Sequence, residues 1–314
     1  MKLRKKTLII IGVTNISLIA ILYVTSQTIL LNSFAALEDQ NTRQNVERFQ
    51  NALSSDLSDL EFLTWDWAAW DDTYDFVQNP NEDYVNANLI DETFIAYEYN
   101  LMMFFNSSGE IVFSKFFDLE NEEEIPIPES LMEHLSPNSL LLQHPDINSS
   151  ITGILLLPEG PLLVSSCPIL TSDKQGPIRG TLIMGYYLDS TRINSLAERT
   201  QLSLNLQRFD DSQMPPDFQT ALASLSEETT IFTRPLNKET IAGYTLFKDI
   251  YGLWRTQSGV ESRYASKYLH ARPSQHLLFH LFVIGDRCRV QHSDHATFGE
   301  DGVVKVNSAQ RKCQ

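Results

Sequence analysis

Hydrophobic positions along this chain of 314 residues fall into three successive patterns. The first is an unbroken run. Residues 7–31 (TLIIIGVTNISLIAILYVTSQTILL) hold 25 positions without a charge. About 20 apolar residues cross a bilayer as a helix, so this run predicts a membrane span. Thr14, Asn15 and Ser17 are tolerable within it, since neutral hydroxyls can bond their own helix backbone. Lys2, Arg4, Lys5 and Lys6 place residues 1–6 in the cytoplasm under the positive-inside rule. A cleaved signal peptide is the alternative, but its apolar core is normally about 7–15 residues, shorter than this run. The expectation is an uncleaved anchor in the cell (inner) membrane, single-pass, with the main domain extracytoplasmic or periplasmic.

The second pattern is helical. Val46, Phe49, Leu53, Leu57, Leu60, Leu63, Trp67, Trp70, Tyr74 and Val77 step by three or four residues, while Asp56, Ser58, Asp59 and Glu61 fill the other face. That stripe predicts a long amphipathic helix rising from the membrane, broken once near Thr64. Asn79-Pro80 ends it, because proline disfavours helix in the residue before it. A short helix is expected from residue 81 onwards.

The third pattern has a shorter period. YNLMMFF (99–105) and IVFSKFF (111–117) flank NSSGE, which predicts a hairpin. DLENEEE reads as an acidic solvated loop, and 128–135 as a short helix opened by Pro128. Residues 152–170 predict a second hairpin around Pro158-Glu159-Gly160-Pro161, and 180–188 a further strand. Residues 189–199 read as a helix capped by Asp189. LSLNLQRF (202–209) alternates as a half-buried strand, with weaker strands at 230–236 and 241–250. Strands joined by short turns pair antiparallel, and the fold class expected is α+β: a membrane helix and long amphipathic helix leading into an antiparallel sheet domain.

Charge narrows the function. The formal net charge is −16, and residues 7–252 alone hold 35 Asp/Glu against 11 Lys/Arg, a difference of −24. No basic patch is present in that body, so no nucleic-acid partner is expected. Cys167, Cys288 and Cys313 match no metal or CxxC spacing, and Cys167 reads as a small core residue.

Candidate chemistry concentrates in WDWAAWDDTYDF (65–76), which holds three of the four tryptophans. The residues singled out are Asp66, Trp67, Trp70, Asp71, Asp72 and Tyr74. If the segment is helical, Trp67, Trp70 and Tyr74 share one face, and Asp71 and Asp75 another. One reading is structural: aromatics anchoring the helix to the sheet, with carboxylates capping or clasping nearby backbone. The other is a mixed aromatic and carboxylate pocket suited to a cation or amine. A glycosidase-like acid/base pair is disfavoured, since adjacent Asp71 and Asp72 diverge by about 100° on a helix. GxSxG, HExxH and P-loop motifs are absent. Asp71, Asp72 and Asp75 lack the EF-hand spacing for Ca²⁺. No catalytic residue, metal or cofactor is therefore expected.

Residues 66–74 (DWAAWDDTY) resemble the extracytoplasmic sensor domain CHASE type 4 (CHASE4). The hairpin around 106–110, GTLIMGYYLDSTRINSLAERTQLSL (180–204) and AGYTLFKDIYG (242–252) support the resemblance, which covers roughly residues 40–252. It implies a Cache/PAS-like fold and a sensing role, set between two membrane helices and upstream of a kinase, diguanylate cyclase or phosphodiesterase. It brings no firmly assigned ligand. By the same analogy a homodimer and an unknown small-molecule ligand are expected, together with the membrane.

The tail departs from that pattern. Residues 253–314 carry five of the seven histidines, nine Lys/Arg and five Asp/Glu, a net charge of +4. LLFHLFVIG (277–285), interrupted by His280, is too short to span a bilayer. One reading is a frameshifted translation from near residue 253, since Asp and His codons read one base later give Ile, Thr or Met. The other is a divergent or unrelated extension. The expectation is an aberrant tail replacing a second membrane helix and output module. The domain scheme is 1–6 cytoplasmic, 7–31 membrane, 35–252 sensor, 253–314 tail. The function expected is a membrane-anchored sensory domain, truncated before its output. The alternatives are a tethered protein-interaction module without a small ligand and an extracytoplasmic hydrolase.

Overall fold

A computed structural model describes residues 3–208, 214–226, 228–237, 240–252 and 264–271, the last as backbone only. One continuous helix, α1 (Leu3–Ala68), carries both the apolar run and the amphipathic stripe. It is long and apolar enough to cross a membrane. At about 1.5 Å per residue its 66 residues extend about 100 Å. Within the apolar part the threonine hydroxyls donate to their own helix, Thr14 to Ile10 O (3.0 Å) and Thr25 to Ile21 O (2.8 Å).

The predicted break near Thr64 is not there. Thr64 sits inside α1, buried, its hydroxyl donating to Leu60 O at 2.7 Å. The helix stops one turn later, where Ala68 O accepts the Leu170 N–H at 3.0 Å and Ala69 forms a parallel bridge with Leu170. Trp70 is extended (φ −135°, ψ 132°) and precedes a second helix, α2 (Asp71–Phe76). Trp67 and Trp70 therefore do not share a helix with Tyr74, which corrects the single-helix reading of 65–76. A tertiary strand contact competes with the helical pattern there and wins. Then come α3 (Glu82–Asn88), capped by Asn81 on the Tyr84 N–H, and α4 (Asp91–Tyr97), which closes at Glu98 in the left-handed region. The sequence pattern does not separate α4.

The first sheet contains β1 (Leu101–Asn106), β2 (Ile111–Asp118), β3 (Glu123–Ile125), β4 (Ile151–Leu157), β5 (Gly160–Pro168) and β6 (Gly180–Tyr187), in the order β3-β2-β1-β6-β5-β4. Every pairing is antiparallel. Both predicted hairpins form, and the Asn106 carboxamide closes the first by accepting from the Ser108 and Glu110 N–H groups. β3 lies inside the stretch read as an acidic loop; its glutamates are edge-strand residues facing solvent. The runs LMMFF and LLVSSC are apolar on both sides because both faces are covered. One face (Met102, Phe104, Leu163, Leu182, Met184) packs with α1–α4. The other (Leu101, Met103, Phe105, Val164, Ile183) packs with Leu131 of α5 (Glu129–Met132) and Leu141 of a 3₁₀ turn, Leu140–Leu142.

After β6, α6 (Ser190–Thr200) is capped by Asp189 as expected, through the Arg192 N–H at 2.9 Å. It leads into a second antiparallel sheet of order β7-β10-β9-β8. The strands are β7 (Ser203–Arg208), β8 (Ile231–Pro235), β9 (Thr240–Phe247) and β10 (Tyr264–Ala271), and α7 (Pro216–Ser224) packs nearby. β10 lies past residue 252 and pairs with both β7 and β9. The rest of the expected tail, 253–263 and 272–314, lies outside the described residues, as do its other histidines. The α+β antiparallel class is thus the one observed, in two sheets rather than one. α1 serves both sheets. Its residues near Val46 meet β9 so closely that a Cβ on Gly243 would stand 2.5 Å from Val46 Cγ2, and Phe49 packs edge-on against Phe247 at 5.4 Å. Higher up, Leu53 and Leu60 join the core of the first sheet.

Candidate functional site

Two clefts flank the far end of α1. The first, about 410 Å³, lies between α1 and the loop joining β5 to β6, and Glu61, Phe62, Trp65, Asp66, Ser172 and Lys174 line it. The Lys174 ammonium sits 5.0 Å from the Trp65 ring centre. Glu61 accepts a hydrogen bond from the Ser150 hydroxyl. Phe62 is 74% exposed at its rim.

Of the six candidate residues, only Asp66 lines this cleft. Asp71 and Tyr74 instead clasp the same loop from α2. The Asp71 N–H donates to Ser172 Oγ (3.1 Å), and Asp71 Oδ1 accepts from the Ser172 N–H (3.0 Å). The Tyr74 hydroxyl donates to Pro177 O (3.3 Å) and accepts from Arg179 Nε (3.1 Å), while the Arg179 guanidinium lies over the Tyr74 ring at 5.4 Å. Gly176, at φ +92°, keeps the loop backbone close to that hydroxyl. Trp67 and Trp70 meet edge-on at 6.2 Å, and Trp70 continues to Tyr84, which stacks on Phe76 at 4.2 Å. Asp72 is exposed on α2. The structure thus divides the six: two hold a loop, two pack as aromatics, and two carboxylates face solvent.

The second cleft, about 290 Å³, was not singled out from sequence. α1 supplies Asp56 and Asp59, the α4–β1 junction Tyr97 and Tyr99, β6 Tyr186, and α6 Arg192, Ser195 and Arg199. Three tyrosine rings stack in sequence, Tyr97 on Tyr99 (6.3 Å, 11°) and Tyr99 on Tyr186 (5.9 Å, 13°). The Arg192 guanidinium caps the stack 4.4 Å above Tyr186, and Trp67 abuts Tyr97 edge-on at 6.2 Å. Arg192 donates to Glu98 O (2.6 Å) and pairs with Glu98 Oε2 (3.0 Å). Arg199 donates through Nη2 to both oxygens of Asp56 (2.8 and 2.6 Å), tying α6 to α1. Burial pushes the Tyr186 hydroxyl up to about 12 and raises Tyr99 as well, so both remain neutral hydrogen-bonding groups at ordinary pH. The available sequence signal was spacing. Asp56 and Asp59 are three apart on α1, and Arg192, Ser195 and Arg199 share a face of α6. The three tyrosines come from separated segments, and only the fold unites them.

Among the described residues no cluster of three His, Cys, Asp or Glu side chains is placed to hold a metal ion. His144 is half-buried against the Ser166 and Ser149 hydroxyls (each 3.3 Å), and desolvation lowers its pKa to about 4. It sits apart from both clefts.

The chain is 35% identical over 177 residues to the methanogenesis regulatory histidine kinase FilI of Methanothrix harundinacea (strain 6Ac). That match covers 56% of this chain and 20% of FilI, so the chain spans about a fifth of its relative's length. Among solved structures, the extracellular domain of vpHK1S-Z8 aligns with a TM-score of 0.48 at 12% identity, covering 76% of this chain and 93% of that one. The ligand-binding domain of the Pseudomonas aeruginosa PAO1 amino acid chemoreceptor PctC, in complex with GABA, aligns at 0.42 and 12% identity, covering 74% and 99%. The family model of the CHASE4 domain matches residues 52–207, which take in the end of α1, the whole first sheet, α6 and most of β7. The chain therefore carries a CHASE4 sensor domain, and the Trp/Asp segment lies inside it.

Proposed function

We propose that this chain is the membrane-anchored sensory part of a signal-transduction receptor, and that a small ligand binds in the tyrosine-lined cleft between α1 and α6. The carrying observation is that one helix carries both the apolar run and a wall of that cleft. α1 contributes Asp56 and Asp59 to the cleft and runs without interruption to the apolar segment. A ligand that prefers one placement of α1 against α6 shifts the population of that placement. Residues 7–31 anchor the chain in the cell membrane, with the sheet domain on the extracytoplasmic side. The family kinship with the regulatory kinase FilI supports the same reading. Trp67 enters it through contact with Tyr97, whereas Asp66, Asp71 and Tyr74 belong to the neighbouring loop face and Asp72 is exposed on α2.

A second copy is part of the proposal. Leu37 (53% exposed) and Phe62, at the open rim of the first cleft, are large apolar side chains of α1 left exposed to solvent, on which two parallel copies can meet.

Thermal unfolding of the full chain in detergent, against a panel of small metabolites, tests the reading. At least one compound should raise the midpoint, and Tyr99→Ala should abolish the rise. No shift with any class of compound, across amines, amino acids, carboxylates, sugars and nucleotides, overturns ligand sensing and favours an interaction module.

A further inference from the structure

The chemistry of the cleft restricts its ligand. The inference rests on the sensory reading above and adds a ligand class to it. A cation cage needs open aromatic faces. Here the two inner rings are engaged: Tyr99 is stacked between Tyr97 and Tyr186, and the Arg192 guanidinium lies over the Tyr186 ring. The rings offer edges and hydroxyls instead. Recognition of charge then falls to the ionic groups, most of which are already paired. Arg192 is engaged by the Glu98 carbonyl and carboxylate, and Asp56 by Arg199.

Two groups remain. Arg199 uses Nη2 alone, so Nε and Nη1 have no partner among the described residues. Asp59, three residues from Asp56 on α1, has no ion pair or hydrogen bond among them either, and it lines the same cleft. One open group seeks an anion and stands on α6. The other seeks a cation and stands on α1. The four charged side chains that α1 and α6 bring to the cleft sum to zero. A bare amine therefore gains Asp59 but meets two guanidiniums, and a bare carboxylate gains Arg199 but meets two carboxylates. A molecule carrying both charges satisfies both sides. Since Tyr99 and Tyr186 are buried and their rings engaged, a cation here is held best through N–H donors to Asp59 and the tyrosine oxygens. The volume of about 290 Å³ lies at the lower end of the roughly 300–1,000 Å³ typical of small-molecule sites.

We infer that the cleft binds a small zwitterion with a primary ammonium and a carboxylate, an amino-acid-type molecule whose carboxylate meets Arg199 and whose ammonium meets Asp59. Such a ligand bridges α6 to α1 alongside the Arg199–Asp56 pair and draws the two helices together.

Isothermal titration of the full chain in lipid nanodiscs tests this. The probes are the twenty protein amino acids one by one, then for any binder its decarboxylated amine, its deaminated acid and its N-trimethyl derivative. The expected result is binding of one or more free amino acids and at least about tenfold weaker binding of all three derivatives. Asp59→Asn and Arg199→Gln should each weaken the amino acid by a similar factor; Asp59 is exposed, so its exchange leaves the fold intact. An amine or acid binding as tightly as its parent overturns the zwitterion while leaving ligand sensing in place. An amino acid whose affinity neither substitution changes overturns the assignment to this cleft. Silence from all amino acids, with a response to another compound class, overturns the ligand class alone; silence from every class overturns both readings.

Discussion

Asp71 shows how far a side chain's role can move between sequence and structure. As part of a Trp/Asp cluster it reads as a clasp or as a ligand contact. The fold gives it a reciprocal pair of hydrogen bonds with Ser172, 101 residues away in the chain. Asp71→Ala should therefore lower stability by about 1 kcal/mol, the usual net worth of such a bond, with little change in affinity at the tyrosine cleft. Denaturant unfolding beside titration checks both halves. Tyr74→Phe should behave alike, since its hydroxyl bonds Pro177 O and Arg179 of the same loop. The aromatic anchoring of Trp67 and Trp70 was legible from their apolar character, though not from a shared helix face, since α1 ends at Ala68. Loop contacts were not, because Ser172, Pro177 and Arg179 lie a hundred residues downstream and nothing local marks them as partners. Tyr99 and Tyr186 were illegible for the same reason: each is an ordinary strand-end residue until antiparallel pairing sets them side by side.

The elements were easier to read than the site. Both hairpins, the Asp189-capped helix and the apolar stripe of α1 follow from local pattern, since turn chemistry and periodicity need only neighbouring residues. The misreadings share one cause. The sequence pattern points to a break near Thr64, but buried Thr64 bonds its own helix, and the break falls at Ala69, which bridges to Leu170 in the loop after β5. β3 hid among glutamates because an edge strand needs no apolar alternation. How tightly these elements pack is testable at Gly243. A methyl there meets Val46 Cγ2 and Thr42 Cγ2 of α1 at 2.5 and 2.9 Å. Gly243→Ala should cost about 1–3 kcal/mol by overpacking. Adding Val46→Ala should recover part of that loss, so a double-mutant cycle on unfolding free energies reads non-additive coupling between α1 and β9.

For the molecule as a whole, stability should have a pH window set by buried titratable groups. His144, at about 4, and His134, lowered by desolvation, bind fewer protons folded than unfolded below the ordinary histidine value. Their contribution is present above about pH 6.5 and is lost as pH falls from there toward 4. On the alkaline side, Tyr84, Tyr186 and Tyr187 are pushed up to about 12 by burial, so the stability they confer is lost as pH rises from about 10 through 12. Thermal midpoints between pH 4 and 7 should fall on acidification, and His144→Gln should flatten that limb.

The uninterrupted course of α1 has a mechanical consequence. With no loop between the sheets and the bilayer, there is no joint at which the domain can nod or swivel on its anchor. Whatever reaches the membrane through α1 must travel as a slide along the axis or a roll about it, and a roll obeys helical phase. One residue inserted between positions 33 and 36 turns the apolar segment by about 100° relative to the cleft, whereas seven inserted residues restore it to within about 20°. Spin labels on either side of the insertion should report that cycle, with every seventh residue returning the same face of the rod to the same neighbours.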